Sequence, residues 1–474
     1  MMYKKIMIGS TILVLGVLPL CTSVTYASQN ADKVKLTKLS LAAAPEPAAA
    51  LAYSLLPDFL DQKTDNAALL YYAAAAQCPQ DGPEANHKKI RDWRDVLVEQ
   101  WDRPSVEKVL ALFSSSFHCI ELAAQRRYCQ WEMPLEDGFS MQMLPLSTFR
   151  TLTYAMQLQI RLEMADGHTE RAMALLRQGL YMARNIARGP SVIHGLVGVS
   201  ITAVMLGEVE DLIQKPTAPN LYWALTALPD PLVNLQASLA YEREVFFVTV
   251  PQLRDLEKEI LTPGEADKII DKVMSEMQKL GMTNDVPLQG LLPMAWVMMH
   301  YTDAKTFLKR HGVAQKRIEA MPAAQAVLLY QKQQYLHLVD DQFKWFAVPY
   351  SQAHSHLKQA ADATDSHLRS QGIKSNFFAM LTPALSRIAF LQARLERQVA
   401  LLRVVEAIRL FAANHSGKIP GALSEITVVP VPMDPVTGKA FLYQRTDAQN
   451  ARLEAPVSPV EDKRRPVYEL AVTH

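Results

Sequence analysis

No charge of one sign dominates this chain. Its 474 residues carry 49 Lys and Arg against 48 Asp and Glu, a formal net charge of +1. That balance gives neither a basic footprint for nucleic acid nor an acidic solvating tail. Cysteine is scarce, with four in all. None belongs to a Cys-x-x-Cys pair, which removes thioredoxin-like and zinc-ribbon readings. Local reaction motifs are missing too. Gly438-Lys439 has no glycine where a phosphate-binding loop needs its first one, and Ala440 follows where Ser or Thr belongs. No Gly-x-Ser-x-Gly elbow and no His-Glu-x-x-His frame occurs. The chain therefore offers no local reason to name a reaction or a cofactor. Any active site would be assembled from dispersed residues. Beyond the N-terminus, no run is long and apolar enough to span a bilayer. Val192 to Leu206 comes nearest, but His194 interrupts it and Glu208, Glu210 and Asp211 follow.

What is present begins with an export signature. Lys4 and Lys5 precede the apolar run Ile6 to Leu20, and Thr25-Tyr26-Ala27 places small residues at the −3 and −1 positions. The run is about 15 residues, short of the roughly 20 that cross a bilayer, and Pro19 would break a helix. Cleavage after Ala27 is predicted, with a retained anchor as the alternative. Leu18-Pro19-Leu20 before Cys21 does not suit lipidation. Export makes the mature chain periplasmic or secreted, in an oxidising compartment. Cys78, Cys119 and Cys129 remain there, enough for one disulfide and one free thiol.

Four segments follow from composition and periodicity. Residues 1–27 are the signal peptide and 28–60 an Ala/Pro-rich linker around Leu41–Ala50. Residues 61–375 form a helical body, and 376–474 a long helix with a small antiparallel sheet. In the body, apolar stripes recur at helical spacing: Ala68, Leu69, Tyr71, Tyr72 and Ala75, then Ile90, Trp93, Val96 and Leu97, then Val106 to Ile120. Ser147–Met164 and Thr169–Arg188 flank the turn Ala165-Asp166-Gly167-His168 and predict an antiparallel hairpin of tetratricopeptide type. No second copy follows at that period. The fold class is mainly α, with irregularly stacked antiparallel hairpins and a C-terminal α+β module. In that module Gly417 and Pro420 end the long helix at a left-handed turn, Asp434-Pro435 and Gly438 form a second turn, and strands fit Phe441–Arg445 and Tyr468–Val472 with Leu453 between them.

Several stretches occur together: Ala67-Ala68-Leu69-Leu70-Tyr71-Tyr72, Cys129-Gln130-Trp131, Met143-Leu144-Pro145-Leu146-Ser147, Arg188-Gly189-Pro190-Ser191-Val192-Ile193-His194-Gly195, and the region Arg394–Arg445. With them the chain, over roughly residues 65–455, resembles a large uncharacterised family of exported, mainly helical bacterial proteins. The likeness implies no activity, cofactor or catalytic residue. The last part is also similar to the C-terminal half of the major pseudopilins of type II secretion. Those carry the module directly behind an N-terminal assembly helix with an acidic residue; here a long helical body intervenes and the apolar N-terminus has no acidic residue. The resemblance implies a shared local fold and no pilus.

The metal candidates are His354, His356 and His367, near Asp362 and Asp365. On a helix His354 and His356 point about 200° apart, so only one could share a face with His367, and a solvated polar segment is the simpler reading. Glu242 and Glu244 flank Arg243; they suit an acid–base pair or, more simply, a salt bridge. His194 among apolar neighbours reads as a hydrogen-bonded core histidine, and Asp340-Asp341 as a helix-surface cluster. For the thiols, a continuous Ser105–Arg127 helix would hold Cys119 and Cys129 about 15 Å apart. If the first three helices run up, down and up, Cys78 lies beside Cys129, so a Cys78–Cys129 disulfide is expected with Cys119 free. Three reduced thiols are the alternative. The functional expectation is a non-catalytic helical scaffold for an envelope protein partner, with no nucleic acid, no cofactor and no membrane span in the mature chain. The rival is an exported hydrolase acting on cell-envelope material through dispersed acidic and His residues.

Overall fold

The computed structural model describes residues 36–79, 83–280, 292–371, 385–458 and 465–473, with the backbone alone at 83–87, 292 and 367–371. The export segment with its cleavage point and Cys21 lie outside these residues. The protein is mainly helical with a small C-terminal sheet. It divides into two compact units, each assembled from separate stretches of chain.

The larger unit takes the described residues up to Trp131, Met143–Leu235, and those from Phe390 onward. It opens with β1 (Leu36–Ala42) and β2 (Lys63–Asn66), followed by α1 (Ala68–Ala76), α2 (Pro83–Arg94), α3 (Arg103–Ala111), α4 (Ser114–Ala124) and β3 (Arg126–Tyr128). β2 and β3 pair in parallel, which lays α1 against α4. The unit continues with α5 (Leu146–Ala165), α6 (Thr169–Ile186), α7 (Val192–Leu212) and the short α8 (Tyr222–Thr226). α5 and α6 turn through Gly167 at φ 77°. They do not stand as an isolated pair, because α7 packs on both. α7 is apolar all round, and it is the one described helix long and apolar enough to cross a membrane. Here it is a core helix, with 78% of its apolar window buried.

The smaller unit takes Glu132–Gln142 and Gln236–Ala389. Its helices are α9 (Gln236–Thr249), α10 (Pro263–Lys279), α11 (Leu292–Arg310), α12 (Gln315–Ala320), α13 (Ala323–Phe343) and α14 (Tyr350–Gln371). Thr262 and Glu265 form a reciprocal capping box at the start of α10. Phe246, Phe247, Ile270, Trp296, Leu308 and Val327 share one core.

The chain then runs through α15 (Leu385–Asn414) into β4 (Leu442–Arg445), β5 (Asn450–Glu454) and β6 (Val467–Thr473). α15 ends as Gly417, at φ 77°, folds its N–H back to the carbonyl of Ala412 at 2.8 Å. The sheet is mixed, in the order β1-β6-β5-β4, and is not the purely antiparallel one expected. β1 lies parallel to β6, register Leu36 to Val467 through Ala42 to Thr473. This corrects the linker reading of 28–60. Leu39 and Leu41 point into the core and are buried, which is worth about 1.5–3 kcal/mol each. The Ala/Pro stretch behind them is docked as well. Arg409 Nε donates to Ala42 O, Asn220 Nδ2 to Ala44 O, and Trp223 Nε1 to Glu46 Oε1 at 2.6 Å. The boundaries differ accordingly from a continuous 61–375 body followed by a 376–474 module.

Candidate functional site

The C-terminal helix carries charges that the fold absorbs. Arg397 on α15 donates twice to Asp434, at 2.8 and 3.0 Å, with both side chains almost wholly buried (2% and 0% exposed). Asp434 also accepts the N–H groups of Val436 and Thr437 and the Thr437 hydroxyl. The predicted Asp434-Pro435 turn is thus organised around a carboxylate that pins the loop to the helix. Gly438 sits at φ 69° and donates its N–H to the Asp434 carbonyl. Pro420 is fixed by Tyr443, whose hydroxyl donates to its carbonyl at 2.8 Å. About three turns further along α15, Arg409 donates to Glu406, with both side chains 0% exposed. The remaining donors of Arg409 reach the carbonyls of Ala42, Ala218 and Pro219. Glu208 on α7 is tied in the same way by Arg161 at 2.9 Å and Gln157 at 2.6 Å. These carboxylates are held by fixed partners, and their chemistry is architectural.

Glu396 is hydrogen-bonded by Gln392, and burial, with a smaller push from Asp230, raises its carboxyl to about 7. Burial raises Glu208 and Glu406 as well. Sequence reasoning passed over Glu396 because a Glu in a charged helix reads as solvated, and Asp230 lies far away in the chain.

Of the sequence-derived metal set, the described side chains His354 and His356 make separate contacts. All three histidines lie on α14. His354 contacts the Ser351 carbonyl through Nδ1 at 3.1 Å, and His356 stacks flat on Trp345 with ring centroids 4.0 Å apart. The His367 side chain lies outside the described residues. No group of three His, Cys, Asp or Glu converges among the described residues. The Glu242–Glu244 segment is a surface ion-pair cluster. Arg243 reaches Asp340 at 2.6 Å and Glu244 at 2.9 Å, and Arg254 reaches Glu244 at 2.9 Å. Asp341 pairs with Lys344. His194 is fully buried and caps α7 together with Ser191, while Gly189 lies so close that a Cβ there would meet the ring at 2.4 Å. Burial pushes its imidazole down to about 4, so it is neutral at physiological pH.

The expected Cys78–Cys129 disulfide is absent: Cys78, Cys119 and Cys129 are all buried free thiols. The reason is topological. The predicted Ser105–Arg127 helix breaks into α3 and α4, and β3 then runs parallel to β2. Cys129 therefore follows Tyr128, whose carbonyl accepts from Ala67 at the start of α1. Cys78 lies beyond the far end of α1, near Cys119, which accepts from Gln77. A helix of that length separates its ends by roughly 14 Å, twice the reach of a disulfide. Burial raises Cys78 to about 11 and Cys129 to about 12, so neither is a nucleophile at neutral pH.

Two open cavities stand out. One, of about 320 Å³, lies between α4, α5 and α6 and is lined by His118, Glu121, Glu163 and Arg171. The other, of about 470 Å³, lies in the smaller unit beside Asp255, Lys258, Glu265 and Lys268. Neither is lined by Glu396, Asp230 or His194. The larger unit also exposes Phe59, Leu60, Leu69, Tyr72 and Tyr128 around its two-stranded sheet, with Leu60 87% exposed. Arg127 lies over the Phe59 ring at 4.0 Å. Compared with known protein families, curated proteins and solved structures, the chain matches none.

Proposed function

We propose that this protein is an exported, non-catalytic helical scaffold that offers an aromatic surface to an envelope protein partner. The observation that carries the reading is the exposed set Phe59, Leu60, Leu69, Tyr72 and Tyr128 near the β2–β3 sheet, with Arg127 over Phe59. Aromatic side chains and Arg are the residue types that concentrate binding energy at protein interfaces. The buried ion pairs support the reading from the other side, because they are spent on holding the fold. In this view the α5–α6 pair plays the part of a tetratricopeptide-type hairpin that stiffens the unit behind the surface. The signal-like N-terminus supports a periplasmic location.

The test is a quantitative pull-down from envelope extract with the exported chain as bait, beside a Phe59→Ser/Leu60→Ser variant. A partner enriched by the natural chain and at least tenfold weaker with the variant is expected. The same proteins captured equally by both would remove this surface from the function.

One observation favours a hydrolase acting on cell-envelope material. A carboxyl raised to about 7 beside a second carboxyl, as at Glu396 and Asp230, is the pattern of an acid–base pair. Release of fragments from purified cell-wall or membrane material by the natural chain, lost in Glu396→Gln, would replace the scaffold reading.

A further inference from the structure

Two histidines that the sequence did not connect meet in the smaller unit. His311 closes the last turn of α11, its backbone N–H reaching Phe307 O at 3.0 Å. His337 lies on α13, which packs along α11. Their ring centroids are 5.5 Å apart and their planes are inclined by 43°. Both side chains are exposed to solvent.

The tautomer of the neutral His311 ring is set by its neighbour. Its Nδ1 lies 2.8 Å from the Phe307 carbonyl oxygen. A carbonyl only accepts, so Nδ1 carries the hydrogen and Nε2 is left with a free lone pair. The Phe307 ring stacks on the imidazole at 3.9 Å and 22°, which restricts its rotation. A ring nitrogen bonded to a main-chain carbonyl, with the opposite nitrogen free, is the arrangement that orients metal-binding histidines.

The separation fits the same chemistry. A tetrahedral zinc holds imidazole nitrogens at about 2.0–2.1 Å, which places the centroids of two such rings roughly 5 Å apart. The observed 5.5 Å lies close to that separation. Lys309 and Arg310 in the last turn of α11 oppose a cation, and two protein ligands leave the other positions to water. Both features hold the affinity to a moderate range.

We propose that His311 and His337 together form a two-imidazole site for a divalent transition metal of the nitrogen-preferring class: zinc, nickel or copper. Bound there, the ion clamps the end of α11 to the middle of α13.

The test is a zinc titration of the full untagged chain by calorimetry, with a melting scan at each zinc concentration. The natural chain is expected to bind one ion at these residues with micromolar affinity and to melt higher as zinc is added. His311→Ala and His337→Ala should each weaken that binding at least tenfold and abolish the melting shift. The double variant should be no worse than either single one, because the two share one ion. A His354→Ala/His356→Ala control should behave like the natural chain. Equal zinc affinity and an equal melting shift in the natural chain and the His311→Ala/His337→Ala variant would overturn the site.

Discussion

The same interaction occurs in both units with opposite consequences. In the larger unit Arg397 and Asp434 meet at 2.8 Å with almost no water contact. In the smaller unit Arg243 and Asp340 meet at 2.6 Å, but the side chains are 37% and 52% exposed. Distance alone would rank the second pair higher. Burial reverses the order. An exposed pair trades hydration for contact and gains about 0–1 kcal/mol. A buried pair has given up its water, so each partner depends on the other and losing one strands a charge. What separates the two pairs is how far each is part of the architecture.

Asp434→Ala is the most damaging of the substitutions. It takes the carboxylate away from the buried Arg397 guanidinium and frees the 434–439 loop. A loss of about 3–5 kcal/mol is expected in urea unfolding, the range for removing one partner of a buried ion pair. Replacing both residues by apolar ones should recover part of it. A loss below about 1 kcal/mol for the single variant would mean that water reaches the pair.

Two buried titratable groups of the larger unit, His194 and Glu396, respond to pH in opposite directions. Burial holds His194 near 4, below the ordinary 6.5. A group that must lose its proton to be buried stabilises the fold above pH 6.5, and that stability fades as pH falls toward 4. Over a gap of about 2.5 this is on the order of 3 kcal/mol. Glu396 works the other way. Raised to about 7 from 4.5, it favours the fold while protonated, and this contribution is lost as pH rises through 7. Between pH 4.5 and 6.5 the two oppose each other. Relative to the natural chain, His194→Gln should tilt the stability profile downward with rising pH over that range, and Glu396→Gln should tilt it upward. Parallel profiles for all three proteins would show that neither group is shifted.

The smallest effect belongs to Arg243→Ala, at under about 1 kcal/mol and falling further in high salt. A loss comparable to that of Asp434→Ala would erase the distinction between the two pairs.

Much of the architecture is legible in residue patterns. The stripes around Ala68–Ala75 and Val106–Ile120 mark real helices, and strands form at Leu442–Arg445 and Val467–Thr473. What escapes is whatever depends on a distant partner. Leu39 and Leu41 alternate with polar neighbours as a strand should, yet the adjoining Ala/Pro run masks them and their partner strand lies at the other end of the chain. Arg397 and Arg409 look like solvent-facing charges on α15. Their burial is decided by Asp434, Glu406 and carbonyls near residues 42 and 218. The thiol pairing failed for a local reason: nothing in the Val106–Ile120 periodicity reveals the break at Leu112-Phe113 that turns Cys129 toward the start of α1. The His311–His337 meeting is equally invisible, since it arises from the packing of two separate helices.

The parallel seat of β1 beside β6 also sets an order of events. Chains are made from the N-terminus, so the first strand described here waits for the last. Until Val467–Thr473 exists, Leu39 and Leu41 have no neighbouring strand to shelter them, and Ala42 and Ala43 lack the Thr473 edge on which they dock. The closing sheet thereby works as a seal on the finished article. A chain ended early by a nonsense codon or a protease carries an unclaimed apolar strand at its front, the kind of signal that quality-control proteases read.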